Sequence, residues 1–148
     1  MNETVDVLAV AAHRDDVELT CGGTLAKAAR AGHRVGIIDL TQGEMGTRGD
    51  AAMRAAEAER AAKTLGVAVR VNAGMRDAHL ANDEAARGKT VELIRRMKPR
   101  VVILPFPVGR HPDHRVASEL GRDACYLAGL AKYAPGKGGD AHRPYKLL

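Results

Sequence analysis

The sequence predicts an α/β fold in which helices flank a Rossmann-like parallel sheet. First, its short apolar runs are apolar at successive positions, as in strands that are buried on both faces. Second, these runs alternate with stretches of helical pattern, which is typical of parallel strands joined by helical crossovers. Third, a chain of 148 residues without an internal repeat is long enough for one domain with a substantial core. We therefore expect residues 1–148 to form a single domain.

Apolar runs and helical patterns together predict eight elements. Four strands are expected, at residues 5–12, 34–41, 67–72 and 100–106. Four helices are expected between and after them, at residues 22–32, 51–65, 87–98 and about 113–128. Gly32 closes the first helix, Asp50 can cap the second and Gly66 can end it, and Pro99 stops the third. These signals give each element a beginning and an end.

The overall composition excludes several classes of protein. The net charge of +5 permits binding to polyanions, but only 3% of the residues are aromatic and the basic residues are dispersed, so stacking platforms for nucleic acid are missing. No apolar run approaches the roughly 18 to 20 residues of a membrane span, and the N-terminus has no secretory signal pattern. Cys21 and Cys125 do not make a disulfide framework. We expect a cytoplasmic protein with neither a nucleic-acid nor a membrane partner.

Two clusters of metal-binding residue types follow the first and the fourth predicted strands. The first cluster is HRDD at residues 13–16, and the second is HPDH at residues 111–114. In a doubly wound sheet with the strand order 3-2-1-4, strands one and four are neighbours. Their carboxyl ends then flank the switch point at which ligands bind. We expect the two clusters to face each other across one crevice.

The chemistry of the two clusters fits a catalytic zinc site. Such a site takes three protein ligands, here from three His and three Asp, and leaves a fourth position for water. A carboxylate that does not bind the metal can then act as a general base. Alone, HPDH is also typical of a capped helix start, and DD is typical of a solvated turn. The pairing of the clusters at two strand ends is what favours a metal site.

Several segments carry a family resemblance. AHRDD at residues 12–16 and HPDH at residues 111–114 resemble the AHPDD and HPDH signatures of the PIG-L/LmbE-like zinc N-deacetylases. DLTQGEMGTRG from residue 39, an R-x-x-E-A-E pattern from Arg54 and DACYLAGLAKY from residue 123 look most similar to one branch of this family. That branch deacetylates N-acetylglucosaminyl-malate in bacillithiol synthesis, and the mycothiol-pathway deacetylase is a close relative.

The resemblance implies a function, a cofactor and a set of site residues. It implies zinc-dependent release of acetate from an N-acetylglucosamine conjugate, in a homo-oligomer that is often a hexamer in relatives. It implies one zinc ion per chain with three ligands, namely His13, Asp16 and His114. Asp15 would be the general base, His111 would stabilise the oxyanion, and Asp113 would orient His111. Five residues would contact the substrate, namely Arg54, Arg48, Glu44, Asp77 and Arg110.

The chain departs from the family pattern at three kinds of position. Arg14 stands where the motif has proline, Gly109 replaces an Asp before the second motif, and Arg76 replaces a proline before Asp77. If Arg14 faced inward, it would repel zinc and lower the pKa of the Asp15 carboxyl; if it faced outward, little would change.

The Gly-, Pro- and Lys-rich tail predicts a loop at 131–144. Only the opening of a fifth strand follows it, so we expect the C-terminal part of the family fold to be missing.

Two other functions stay open from the sequence. Because of the expected truncation and the Arg14 substitution, the chain is alternatively a catalytically impaired metal- or ligand-binding fragment. Metal analysis combined with a deacetylation assay tests this alternative. Because of its positive charge, a second alternative is a basic nucleic-acid-binding domain. A salt-dependent DNA-binding titration tests this alternative.

Overall fold

The computed structural model, which describes residues 3–133 and 139–148, confirms the predicted α/β fold. Five strands pair in parallel in one sheet: β1 (Val7–Ala11), β2 (Val35–Thr41), β3 (Val69–Met75), β4 (Val101–Ile103) and β5 (Lys146–Leu147). Five helices accompany them: α1 (Asp16–Thr20), α2 (Gly22–Arg30), α3 (Ala51–Leu65), α4 (Glu84–Met97) and α5 (Pro112–Ala128). Among the described residues, no helix is both long enough and apolar enough to span a bilayer.

The order of the strands places the two motifs side by side. The sheet runs β3-β2-β1-β4-β5, so β1 lies between β2 and β4, as the sequence predicted. Val7 is in register with Val35 on one side and with Val101 on the other. Because all these strands are parallel, the loops that follow β1, β2, β3 and β4 emerge at the same edge of the sheet.

The two faces of the sheet are covered by different helices. On β1, Leu8 and Val10 belong to the larger apolar cluster, which also contains buried residues of α4 and α5. Ala9 and Ala11 belong to a second cluster, together with Leu25 of α2. The successive residues of this strand therefore pack on opposite faces, which explains why its sequence is apolar at every position.

The helix boundaries follow local capping. The Asp50 carboxylate accepts a hydrogen bond from the Met53 amide at 2.7 Å, and Gly66 ends α3 with φ of 73°. Helix α4 begins at Glu84, three residues earlier than predicted, because Asp83 caps it. Helix α1 was not predicted, since five residues are too few to display a helical period.

The fourth and fifth strands differ in how well the sequence predicted them. β4 has only three residues, shorter than the predicted 100–106, because Pro105 and Pro107 beyond it have no amide to donate to a neighbouring strand. The predicted fifth strand is present as β5 and pairs with β4. Of the loop predicted at 131–144, residues 134–138 lie outside the described part of the chain.

Helix α5 carries the second motif, and its packing gives a first prediction. Leu120 is fully buried in the larger cluster, whereas its neighbour Glu119 is exposed. We expect Leu120→Ala to lower the free energy of unfolding by about 2–5 kcal/mol, because it leaves a cavity between α5 and the sheet. Glu119→Ala is the matched control and should change it by at most about 0.5 kcal/mol. Chemical denaturation measures both, and equal values for the two variants would contradict the packing.

Candidate active site

Three side chains from the two motifs converge at the carboxyl edge of the sheet. Nδ1 of His13 lies 3.4 Å from Oδ2 of Asp16 and 3.3 Å from Nε2 of His114. Nε2 of His114 lies 3.1 Å from Oδ1 of Asp16. His13 is 9% exposed, and the other two residues are partly buried. Two imidazole nitrogens and a carboxylate therefore point into one small volume.

The spacing and chemistry of these donor atoms fit a zinc ion. Tetrahedral zinc with nitrogen and oxygen ligands at about 2.0–2.2 Å places its ligand atoms about 3.3 Å apart. Nε2 of His114 lies 3.3 Å from Nδ1 of His13 and 3.1 Å from one Asp16 oxygen, and the other Asp16 oxygen lies 3.4 Å from Nδ1 of His13. Two imidazoles and one carboxylate are also among the ligand sets that zinc takes in catalytic sites. The described residues thus provide three ligands, the number that a catalytic zinc site takes from the protein.

Local structure at two helix starts positions these ligands. The chain turns sharply after β1, where the Asp16 carboxylate accepts a hydrogen bond from the His13 amide at 2.9 Å, and α1 begins at Asp16. On the other side, His111 caps α5, since its Nδ1 accepts a hydrogen bond from the Asp113 amide at 3.2 Å. His114 lies in the first turn of α5 and is thereby held close to the first motif.

Two buried carboxylates lie behind His13, on the side away from its ligand atom. Nε2 of His13 is 3.0 Å from Oδ1 of Asp77 and 3.1 Å from Oδ2 of Asp113. The same Asp113 oxygen accepts a hydrogen bond from the Ala78 amide at 2.8 Å. Carboxylates in this position accept the Nε2 proton of a metal-binding histidine, which leaves the Nδ1 lone pair for the metal.

The electrostatics of the cluster favour a bound cation. Burial alone would lower the pKa of His13, but hydrogen bonds and charge from Asp16, Asp113 and Asp77 raise that pKa to about 9. Burial alone would raise the pKa of Asp16, but the His13 contacts and the nearby His114 lower it below its ordinary value. In the metal-free protein, the carboxylates thus stabilise a positive charge on the His13 ring, and a bound cation would take the place of its proton.

Asp15 and His111 border the three ligand residues. The exposed Asp15 lines a cleft of about 430 Å³ that also contains Arg14, Arg48 and Arg54. The ring of His111 is exposed, and its centroid lies 4.7 Å from that of His13. Asp15 therefore faces this cleft and directly precedes the candidate ligand Asp16, and His111 stands beside His13.

The loop after β2 is held by two of the predicted substrate residues. The amide of Asp77 donates to Oε1 of Glu44 at 2.8 Å, and the amide of Met45 donates to Oδ2 of Asp77 at 2.9 Å. These reciprocal bonds tie the loop after β2 to the loop after β3. The exposed fraction of the Asp77 residue is 6%, so Asp77 lies inside the protein and behind His13.

The same loop also packs closely against Arg54 of α3. Nη2 of Arg54 donates to the carbonyl oxygen of Arg48 at 3.1 Å, and the Arg54 Nε is buried without a hydrogen-bond partner. A Cβ atom at Gly46 would overlap Nη2 of Arg54, so a larger residue there would displace the end of this side chain. The structure therefore places Arg54 against the loop, with Arg48 at the adjoining surface. Arg110 is exposed and immediately precedes His111.

Comparison with known proteins places the chain in a family. The sequence profile of the PIG-L family, described as GlcNAc-PI de-N-acetylase, matches residues 8–125, which is more than half of the chain. The chain belongs to the PIG-L family. This match confirms the family resemblance that was predicted from the paired motifs.

Named relatives of this PIG-L chain include two deacetylases. It is 34% identical over 142 residues to the diacetylchitobiose deacetylase of Thermococcus kodakarensis, covering 89% of this chain and 53% of the relative. It is 31% identical over 147 residues to the 1D-myo-inositol 2-acetamido-2-deoxy-alpha-D-glucopyranoside deacetylase of Mycobacterium leprae, covering 77% and 48%. The chain thus spans about half the length of these two relatives.

A solved structure supports the fold of the PIG-L chain. The conserved protein TT1542 from Thermus thermophilus superposes with a TM-score of 0.92 at 46% identity, covering 97% of this chain and 64% of the other. The observed sheet and helices thus match those of an experimentally determined relative.

The sequence interpretation missed a buried ion pair that underlies the site of this PIG-L chain. Arg70 on β3 binds Asp39 on β2 through two hydrogen bonds, of 2.8 and 3.0 Å. Burial raises the pKa of Asp39, and the Arg70 guanidinium opposes that shift. A signal was present in the sequence, because each residue is the single charge within an otherwise uncharged strand segment.

The position of Asp77 gives a second prediction. If Asp77 orients His13, Asp77→Ala should weaken zinc binding by about 10- to 100-fold, as is typical when a partner of a metal ligand is lost. A competition titration with a chromophoric chelator measures this affinity. Arg76→Ala, a change at the exposed neighbour, is the control and should bind zinc like the wild type. Unchanged zinc affinity together with a raised KM would instead assign Asp77 to the substrate.

Proposed function

We propose that this chain is a zinc-dependent N-deacetylase that hydrolyses the N-acetyl group of an N-acetylglucosamine conjugate and releases acetate. The observation that carries the proposal is the convergence of the ligand atoms of His13, Asp16 and His114. The exposed carboxylate of Asp15, the residue before Asp16, is not among these ligand atoms and is available as a base. The family membership and the two relatives named as deacetylases of acetylated amino sugars support the same reaction.

The residues would divide the chemistry between them. When bound, zinc supplies Lewis-acid polarisation of the acetyl carbonyl and lowers the pKa of water. Asp15 accepts the proton of the attacking water as the general base. His111, at the rim of the centre, donates a hydrogen bond to the developing oxyanion of the substrate. Asp15 or His111 then delivers a proton to the leaving amine.

Asp77 and Asp113 would act on His13 rather than on the substrate or on His111. Both carboxylates lie within 3.1 Å of Nε2 of His13, so they fix the ring and its tautomer with Nδ1 directed at the zinc site. Asp113 contacts His111 through its backbone amide, while its carboxylate faces His13. We therefore propose that Asp113 orients the metal ligand His13, whereas the resemblance implied that it orients His111.

The cleft beside Asp15 would bind the remainder of the substrate. Arg48 and Arg54 line it, and guanidinium groups bind carboxylates through paired hydrogen bonds. This favours a conjugate with an acidic substituent, such as N-acetylglucosaminyl-malate, as the sequence predicted. A role in bacillithiol synthesis, a cytoplasmic location, homo-oligomeric assembly and a single domain over residues 1–148 stay predictions.

The decisive experiment is an acetate-release assay on a panel of substrates. The protein is stripped with a chelator, reloaded with zinc, and tested on N-acetylglucosaminyl-malate and on N,N'-diacetylchitobiose. We expect zinc-dependent release, faster with the acidic conjugate than with the neutral one. Release that is equal with and without zinc would overturn the metal-dependent mechanism. Faster release from the neutral sugar would overturn the proposed preference for an acidic substrate and would leave the proposed deacetylation unaffected.

The rival interpretation is a catalytically impaired metal- or ligand-binding fragment of the same fold. The family membership and the deacetylases among the relatives do not favour it. Tight zinc binding without acetate release from any substrate of the panel would favour this fragment over the enzyme.

A further inference from the structure

One guanidinium group joins four parts of the structure beneath the first motif. Arg70 is bound to Asp39 on β2, and its Nη1 donates to Oε1 of Glu18 at 2.5 Å and to the carbonyl oxygen of Ala58 at 3.2 Å. Its Nη2 also donates to the carbonyl oxygen of Arg14. The side chain of Arg70 is 9% exposed, so these bonds are largely shielded from water.

Two of these contacts hold the motif and the helix that follows it. The Arg14 carbonyl belongs to the peptide bond between Arg14 and Asp15, in the middle of the motif. Glu18 lies on α1, the helix that begins at Asp16. Arg70 therefore connects the segment that contains the proposed base and one zinc ligand to the centre of the sheet.

The side chain of Arg14 provides a second anchor. Its Nη1 donates to the carbonyl oxygen of Ala51, the first residue of α3, at 2.9 Å. The guanidinium is thus turned toward α3, and it is neither a ligand-facing cation nor a freely solvated one. This contact answers the question that the sequence left open about the cation in the motif.

We propose that Arg14 and Arg70 form a two-arginine clamp, which holds the turn at residues 13–16 and so positions Asp15 and Asp16 for metal binding and catalysis. The inference rests on the proposed function for its catalytic part only, because the rigidity of the turn is a property of the metal-free protein. Both arginines are positioning residues, since neither is placed on the reacting atoms.

Three substitutions separate rigidity of the turn from other effects. Arg14→Ala removes the anchor to α3 and leaves ordinary backbone freedom. Arg14→Pro removes the same anchor but restricts the backbone. Proline is the residue that the family motif has at this position. Arg14 does not have a positive φ, and among the described residues no hydrogen-bond acceptor faces its amide. Arg70→Lys keeps the charge but loses the planar set of donors. Arg60→Ala, at an exposed position on α3, is the control.

The first readout is amide hydrogen exchange in the metal-free protein over residues 15–20, followed by mass spectrometry. We expect exchange in this segment to become faster in Arg14→Ala and Arg70→Lys, and to stay near the wild-type rate in Arg14→Pro and Arg60→Ala. Equal rates in Arg14→Ala and the wild type would overturn the clamp. Faster exchange throughout the protein in Arg70→Lys would show general destabilisation, and it would contradict the role of Arg70 in the clamp.

The second readout is zinc affinity, measured by chelator competition, with kcat and KM determined for the same variants. We expect about 10- to 100-fold weaker zinc binding in Arg14→Ala, as for loss of a partner that orients a metal ligand, and recovery in Arg14→Pro. Zinc binding as weak in Arg14→Pro as in Arg14→Ala would overturn the inference. If no variant releases acetate but exchange and affinity follow this order, the proposed function fails and the clamp stands.

Discussion

Asp15→Asn is expected to lower kcat for acetate release by about 10²- to 10⁴-fold, which is the usual contribution of a general base. Asparagine has nearly the shape of aspartate but cannot accept the proton of the attacking water. Zinc content should stay at the wild-type level, because the ligand atoms converge from His13, Asp16 and His114 without Asp15. Steady-state kinetics and elemental analysis on the same protein preparation measure the two quantities.

A second acidic residue in the same cleft provides the control for this substitution. Glu57 also lines the cleft with Asp15, but it lies on α3 rather than in the motif. Glu57→Gln should leave kcat close to the wild-type value. If Asp15→Asn instead removes zinc while the fold is intact, the roles of Asp15 and Asp16 are the reverse of those proposed.

His114→Ala is expected to weaken zinc binding by at least about 100-fold, which is the upper end of the loss seen when only a partner of a ligand is removed. The substitution removes one of the three ligand atoms and leaves a two-residue set from the first motif. Zinc-dependent acetate release should fall with zinc occupancy. Chelator competition, checked by elemental analysis of the dialysed protein, gives the affinity.

His33→Ala is the matched control, because His33 is an exposed histidine outside both motifs. Its zinc affinity should equal that of the wild type. Equal zinc content in His114→Ala and His33→Ala after dialysis at low free zinc would refute the ligand assignment.

The outline of the fold was predictable because it depends on local patterns. Residues buried on both faces of a parallel sheet are apolar at successive positions, and helix caps use a few residue types, so most elements could be read in order. The exceptions have local causes as well. Helix α1 is too short to display a period, and β4 ends before Pro105, which lacks an amide to pair.

The meeting of the two motifs was also predictable, since each motif is continuous in the sequence and follows a strand that neighbours the other in a doubly wound sheet. The choice of His13, Asp16 and His114 among their residues came from the family resemblance. The polar partners behind these ligands were not predictable. His13 and Asp113 are 100 residues apart in sequence, and Arg70 reaches Asp39 across 31 residues. Only the packing of the strand-end loops decides that Asp77 lies behind His13 instead of in the open cleft.

Arg14 shows most clearly which properties the sequence determines and which the tertiary structure determines. The sequence by itself determined that a cation stands between a candidate ligand and a candidate base, and that proline is absent there. An arginine side chain has many rotamers of similar energy, and its own sequence does not choose among them. The choice is made by the carbonyl of Ala51, 37 residues away, which α3 brings to the motif. Tertiary structure therefore turns a cation beside the metal site into an anchor directed away from it.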